Sequence, residues 1–431
     1  MGYGSDGLGN FRLVVFGEKD VATPDLVDSK AVSWTDVLCE ELHCSTYLSF
    51  VPQESQAHSV VSIGLYAEGL DQAANFTEMR LGPGQDYGFQ PDMYPVVWKL
   101  ADLEKQVSSF LAIPKPETPP RETLWVFSFG TWDVWSLASL PLAISRPLVE
   151  RMTEHIFDQA ERLYQSALDE NSIAWSGLST DEETVNSTAT GQGRRARETD
   201  MFRIMIPKLF DPSLTPGWAN ARPKLAEVHS KAEQMRNAFI LTGEWNAHLQ
   251  TKLSVWVNGP RLEDNKHDER VADLVDSLET NAGVTEYFEG VVAALQAAAR
   301  TGQIKRRSAT KKVPVRDGFL YDLPEYLLDA MADSQLRSVG LEDGNGIGAN
   351  PRGESFGDVS KPCSAGSGRA EKGDSPTWSA KICEAVQDHL FSTPFTVAPR
   401  AIREVGLFAA DMAKSNDTMR ALWDARGMSP K

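Results

Sequence analysis

The sequence predicts an α/β protein in which a doubly wound parallel sheet lies between two layers of helices, and three observations carry this. Apolar runs, Leu13-Val14-Val15-Phe16 and Leu124-Trp125-Val126-Phe127, each close on a nearby glycine, as strands buried on both faces do. Helical periodicity fills the intervals between such runs, which implies right-handed crossovers and an α/β/α sandwich. The 431 residues are 41% hydrophobic, enough for the core of a single domain spanning 1–431.

The first strand lies in Phe11 to Pro24, where the apolar run meets Gly17 and a polar turn with Glu18, Lys19 and Asp20 follows. Ligands of open α/β sheets bind beyond the carboxyl ends of the strands, so Gly17 to Thr23 is expected at the rim of a site. Ser33 to Leu42 sets Trp34, Val37, Leu38 and Leu42 on one helical face behind a Ser33 N-cap, and Tyr47 to Val51 completes a β-α-β unit. Residues 60 to 95 interleave Gly, Pro and aromatic residues and read as a long loop. Val96 to Ile113 is helical and ends at a Pro-rich turn. Leu124 to Phe129 is the clearest central strand, backed by a helix from about Pro147 to Ser172.

Gly177 to Asp200, acid-rich and then basic at Arg194, Arg195 and Arg197, reads as a mobile surface excursion. Phe202 to Pro207 is the next strand, Ala219 to Leu253 a long helix, Val255 to Val257 the last strand, and His267 to Thr301 a further helical stretch. Lys305-Arg306-Arg307 with Lys311-Lys312 reads as a solvated face. Asp322 to Leu336 is an amphipathic helix capped by Asp322. Residues 340–378, glycine-rich from Gly340 to Ser375, form a flexible loop, Lys381 to Ala401 returns to an apolar pattern, and Ala401 to Met412 is a closing helix.

A net charge of −17 repels nucleic acid and anionic membrane surfaces, so neither is expected as a partner; a small molecule, a glycan or a protein remains. With no run of eighteen apolar residues, no membrane-spanning helix is expected. MGYGSDGLGN lacks the basic and apolar regions of a signal peptide, so a cytoplasmic location is expected from the chain as it stands, and secretion if a leader precedes it. The sequons at Asn75, Asn186 and Asn416 leave that choice open. Cys39, Cys44, Cys363 and Cys383 are disulfide candidates with three pairings open, or free thiols in a reducing compartment. No C-x-x-C occurs and the seven histidines are scattered, so neither a metal nor a cofactor is expected.

The stretch ending in Gly17-Glu18-Lys19 resembles the opening block of the SGNH/GDSL-type ester hydrolases, in which an apolar strand runs into Gly-Asp-Ser and the Ser is the nucleophile. Phe129-Gly130-Thr131-Trp132-Asp133 resembles the family's Gly-x-Asn-Asp turn, and His389 to Val397 the segment that carries its Asp-x-x-His pair. The resemblance covers most of the chain loosely and these blocks closely. It implies an SGNH-hydrolase-like, flavodoxin-like fold and, at its family positions, a lost active site. Lys19 stands for the nucleophile, Trp132 for the oxyanion Asn, Thr393 for the Asp and Thr396 for the His. Gly64 and Gly69 are the alternatives for the remaining oxyanion glycine.

Serine-hydrolase chemistry needs a nucleophile, a base, an orienting acid and oxyanion donors. Loss of the nucleophile or the base alone costs about six orders of magnitude, leaving ~10³ to 10⁴ over water. The expected reading is therefore a catalytically degenerate ester-hydrolase fold with no catalytic residue in place. Its rim, formed by Gly17, Glu18, Lys19, Asp20, Gly130, Trp132, Asp133 and His389, binds a ligand or partner. Lys19 is expected to be solvated or paired with an acid such as Asp133, because neighbouring carboxylates raise an ammonium pKa rather than lower it. Trp132 is expected to plug the pocket.

Two alternatives stand beside this. One is an active esterase or lipase-like enzyme with a rearranged set, Asp20, Thr23 or Ser392 with His389; the other is a glycan-binding or structural scaffold using Trp125, Trp132 and Trp135. A literal Gly373-Asp374-Ser375 has no strand before it, and Asp343 to Glu354 departs from a calcium loop at Ile347 and Pro351; neither is assigned a role.

Overall fold

The computed structural model describes residues 11–24, 32–52, 59–78, 86–176, 201–223, 229–259, 313–341, 356–363 and 385–415. The Gly177–Asp200 excursion, the His267–Thr301 stretch, the basic run at 305–312, Gly373-Asp374-Ser375, Asp343–Glu354, most of 340–378, Cys383, Asn186 and Asn416 lie outside the described residues.

Strands β1 (Phe11–Gly17), β2 (Thr46–Ser49), β3 (Glu122–Ser128), β4 (Met201–Pro207) and β5 (Val315–Tyr321) form one sheet in the order β2-β1-β3-β4-β5. Every neighbouring pair in it is parallel. Because side chains alternate across a strand, Val14 and Phe16 enter one core while Leu13 and Val15 enter the other. Helices α2 (Ile63–Glu78), α4 (Leu103–Leu111), α6 (Leu142–Ala167) and α8 (Lys231–Val257) cover the first face. The opposite face is covered by α1 (Trp34–Glu41), α9 (Leu323–Ser338) and α10 (Pro399–Ser415). The protein is thus α/β, consistent with a three-layer α/β/α arrangement. Short helices α3 (Gln90–Met93), α5 (Thr131–Leu137) and α7 (Pro216–Ala221), single 3-10 turns at Pro212–Leu214 and Val386–Asp388, and a parallel pair, β6 (Asp358–Pro362) with β7 (His389–Phe391), complete the described elements.

Local signals hold where they were strongest. Ser33 caps α1 through a reciprocal bond with Asp36, and Asp322 caps α9 by accepting from the Glu325 amide. Several elements differ from expectation. Residues 60 to 95 contain α2 and α3 rather than a loop; Gly69 lowers the helical signal, yet a Cβ there would lie 2.5 Å from Leu148 Cδ1, so the glycine is what lets α2 meet α6. It is a packing glycine, not an oxyanion donor. The Val96–Ile113 helix begins only at Leu103, where the Asp102 side chain accepts from the Lys105 amide. Helix α6 starts five residues before Pro147 and carries that proline inside its first turns.

The long helix expected from Ala219 is divided into α7 and α8, interrupted at Pro223 and restarted by the Ser230 cap. Val255 to Val257 is the last turn of α8, not a strand. The fifth strand is β5 instead, an edge strand only half-buried along most of its length, so its sequence VRDGFLY does not read as an apolar run. Gly318 in it is packed against Ile204, with room for no side chain.

Cys39 and Cys44 form a disulfide that ties the end of α1 to the approach to β2, with 5.1 Å between their Cα atoms. Cys363 is also disulfide-bonded. Among the described residues, no helix is long and apolar enough to cross a membrane.

Candidate functional site

The carboxyl ends of β1 and β3 lie side by side, in register from Phe11 opposite Glu122 to Gly17 opposite Ser128. Gly17 is required here by closeness: an added Cβ would stand 2.8 Å from the Ser128 carbonyl oxygen. Buried Gln106 of α4 clamps the strand end, accepting from the Gly17 amide and donating to the Gly17 carbonyl, both at 2.9 Å. Neither bond is foreshadowed by any sequence pattern, since the partners are 89 residues apart.

Beyond Gly17 the chain turns its own acids inward. The Glu18 carboxyl accepts from the first amides of α5, Thr131 N–H at 2.5 Å and Trp132 N–H at 3.4 Å. Gly130 makes this turn possible, with φ +126° and the Trp245 indole packed where a Cβ would lie. The backbone donors that an incoming anion would use are therefore occupied by the chain's own carboxyl. Burial, and after it the nearby Asp133, push the Glu18 pKa well above the usual carboxylate range. Asp133 accepts from the Val61 amide at 3.0 Å, and burial raises its pKa to about 7.

Asp20 is the most heavily bonded of the three acids. It accepts from Ser128 Oγ at 2.6 Å, Thr23 Oγ1 at 2.8 Å, Trp34 Nε1 at 2.9 Å and the Ala22 amide at 3.0 Å. Burial nevertheless raises its pKa. The hydroxyls of Ser128 and Thr23 are thereby held as donors to an acid, and among the described residues no imidazole bonds to either.

Lys19 is buried, not solvated, and Asp133 accepts from the Val61 amide. The Lys19 carbonyl oxygen accepts from Trp132 Nε1 at 2.8 Å. Trp132 itself, 4% exposed, meets the edge of Phe395 at a centroid distance of 5.1 Å. Phe395 rides on the turn from Ser392 to Thr396, in which Thr393 Oγ1 accepts from the Thr396 amide at 3.0 Å. The Thr396 carbonyl oxygen closes the same turn by accepting from the Ser392 and Thr393 amides. Val397 N–H then donates to the Val21 carbonyl at 2.9 Å, tying this segment to the loop after β1.

The structure thus brings Gly17, Glu18, Lys19, Asp20, Gly130, Trp132, Asp133, Thr393 and Thr396 to one rim. His389 lies instead in the β6–β7 pair, its Nδ1 3.2 Å from the Lys361 carbonyl oxygen, and bonds to none of these groups. Ser392 Oγ donates to the Val397 carbonyl at 3.0 Å rather than meeting His389. Of the three tryptophans of the glycan alternative, Trp132 and Trp135 meet edge to face at 5.9 Å, whereas Trp125 stands apart in the sheet, stacked between Phe16 and Phe202. Among the described residues no group of His, Cys, Asp and Glu is placed to hold a metal ion.

Ser128, Trp34 and Phe395 belong to the rim and were not singled out for it in the sequence. Ser128 had a readable signal, as the last residue of a central strand. No family model matches this chain, and no curated protein matches it in sequence.

Proposed function

We propose that this chain is a catalytically degenerate α/β protein of the SGNH/GDSL ester-hydrolase type, a scaffold that retains the hydrolase architecture and does not cleave esters. The strand order β2-β1-β3-β4-β5 supports the fold half of this reading: it is the flavodoxin-like doubly wound order, whose ligand crevice opens beside the β1/β3 switch point. The observation that carries the functional half is Trp132. Its indole fills the rim at the family's oxyanion position, bonded to Lys19 and packed on Phe395. Where an acyl group would have to lie, the protein has built interior.

The other parts agree. Glu18 occupies the α5 amides, a lysine replaces the nucleophile, and two threonines holding a turn replace the Asp and His. An ester carbonyl entering here would meet neither a nucleophile nor a free donor pair.

The test is fluorophosphonate labelling of the full chain, read by mass spectrometry, together with p-nitrophenyl acetate hydrolysis. No labelled residue is expected, and turnover no greater than the ~10³ to 10⁴ over water that residual binding supplies. A Ser or Thr labelled stoichiometrically, whose label and activity both vanish on substitution, would restore the active-esterase reading.

A further inference from the structure

Arg222 is 3% exposed, yet no carboxylate among the described residues pairs with it. Its planar group is caged: Trp218 covers it at 3.9 Å from the ring centroid, Trp135 at 4.5 Å, and Tyr94 lies at 5.1 Å. In the plane, Nε donates to Gln234 Oε1 at 2.5 Å and Nη1 to the Trp135 carbonyl at 2.9 Å. Nη2 is buried without a hydrogen-bond partner, and so is Nε1 of Trp218, the indole stacked on the guanidinium.

The energetics of this cage do not close by themselves. A cation–π contact offsets only part of the cost of burying an unpaired ion. Burial accordingly drags the Arg222 pKa down to about 10, and the groups that act against this are two phenols, Tyr94, whose hydroxyl also accepts a hydrogen bond from the guanidinium, and Tyr66. Burial raises both phenols' pKa values, so they are neutral at pH 7 and supply no counter-charge. Both unpaired atoms are donors, while the acceptors beside them, Gln234 Oε1 and the Trp135 carbonyl, are already used. A cation or a neutral donor has nothing to bind here; an anion has the Nη2 donor and a charge.

We propose that Arg222, with Trp218 and Trp135, forms a binding site for a small oxyanion, a carboxylate or a phosphate, that bonds in the guanidinium plane at Nη2. Ala219, Asn220 and Ala221 of α7, between Trp218 and Arg222 in the chain, are exposed. It stands apart from the degenerate-esterase reading, since an active enzyme could carry the same cage.

The test is anion titration of the full chain in a low-salt zwitterionic buffer at pH 7, with sodium phosphate in one arm and sodium acetate in the other. Thermal unfolding and tryptophan emission are both read. The wild type should show a saturable rise in Tm and a saturable emission change from the stacked indole, and the arm that saturates at lower concentration identifies the oxyanion. Phosphate also stabilises proteins non-specifically, without saturating. Arg222→Met should therefore keep the linear part of the Tm response and lose the saturable part, while Arg222→Lys, without the planar fork, should bind at least tenfold more weakly. A saturable response that survives in Arg222→Met, or a wild-type emission titration that is flat in both arms, overturns the proposal. The wild-type titration decides the matter even if the methionine variant does not fold. Neither outcome bears on fluorophosphonate labelling.

Discussion

Replacing Asp133 by Asn isolates the cost of an acid buried behind the rim. In the folded chain its pKa is raised from 3.8 to about 7, chiefly by burial. Below pH 4 both folded and unfolded chains hold the proton, and the group contributes no pH dependence. Between about pH 4 and 7 the unfolded chain has released it while the folded chain keeps it, so the folded state binds more protons and stability falls as pH rises. The displacement is about three units; at about 1.4 kcal/mol per unit it amounts to ~4 kcal/mol of stability lost by pH 8. Glu18, raised by burial and by Asp133, acts with the same sign. Asparagine is isosteric, and its Oδ1 can still accept from Val61 N–H, but it has no charge to desolvate. Urea unfolding at pH 4, 6 and 8 should therefore show a wild-type stability that declines across the window and an Asp133→Asn variant that declines less, overtaking the wild type by up to ~4 kcal/mol at pH 8. Parallel curves would refute the reasoning. So would a uniform loss at every pH, which would mean that Asp133 is ionised and stabilises as a hydrogen-bonded anion.

Truncating the plug, Trp132→Ala, should cost ~3–5 kcal/mol in urea unfolding, the range for removing a large buried aromatic side chain. Trp132→Phe keeps most of the volume and loses only the bond to the Lys19 carbonyl, so about 1 kcal/mol is expected, and equal costs for the two variants would deny the plug. At Gly130, alanine must adopt φ +126° and place its Cβ 2.7 Å from Trp245 Cε2, for an expected loss of about 2–4 kcal/mol and a changed tryptophan emission. A Gly130→Ala variant that melts with the wild type would show that α5 can be entered by another backbone path.

Much of the scaffold is decided locally. Runs such as Leu13 to Phe16 and Leu124 to Phe127 are apolar at every position because both faces of their sheet are covered, and a strand of that kind announces itself without reference to its neighbours. Helices α1 and α9 are legible for a similar reason: Ser33 and Asp322 bond to amides only three residues away. The signal fails where an element answers to a distant one. Gly69 weakens α2 locally so that α6 can pack against it, and β5 is half-exposed along the sheet edge, which removes the apolar run that would have marked it.

From its order of residues alone, the chain determined an α/β framework and the ends of its two central strands, at Gly17 and Ser128, since strand ends and caps follow from side chains a few residues apart. Only the tertiary structure decided what the rim is. Glu18 meets amides 113 residues away, Trp132 an equally distant carbonyl, and Arg222 a carbonyl 87 residues behind it. Whether such groups face solvent, a ligand or one another depends on packing across the whole sheet. At the rim of this protein the packing turns them toward one another.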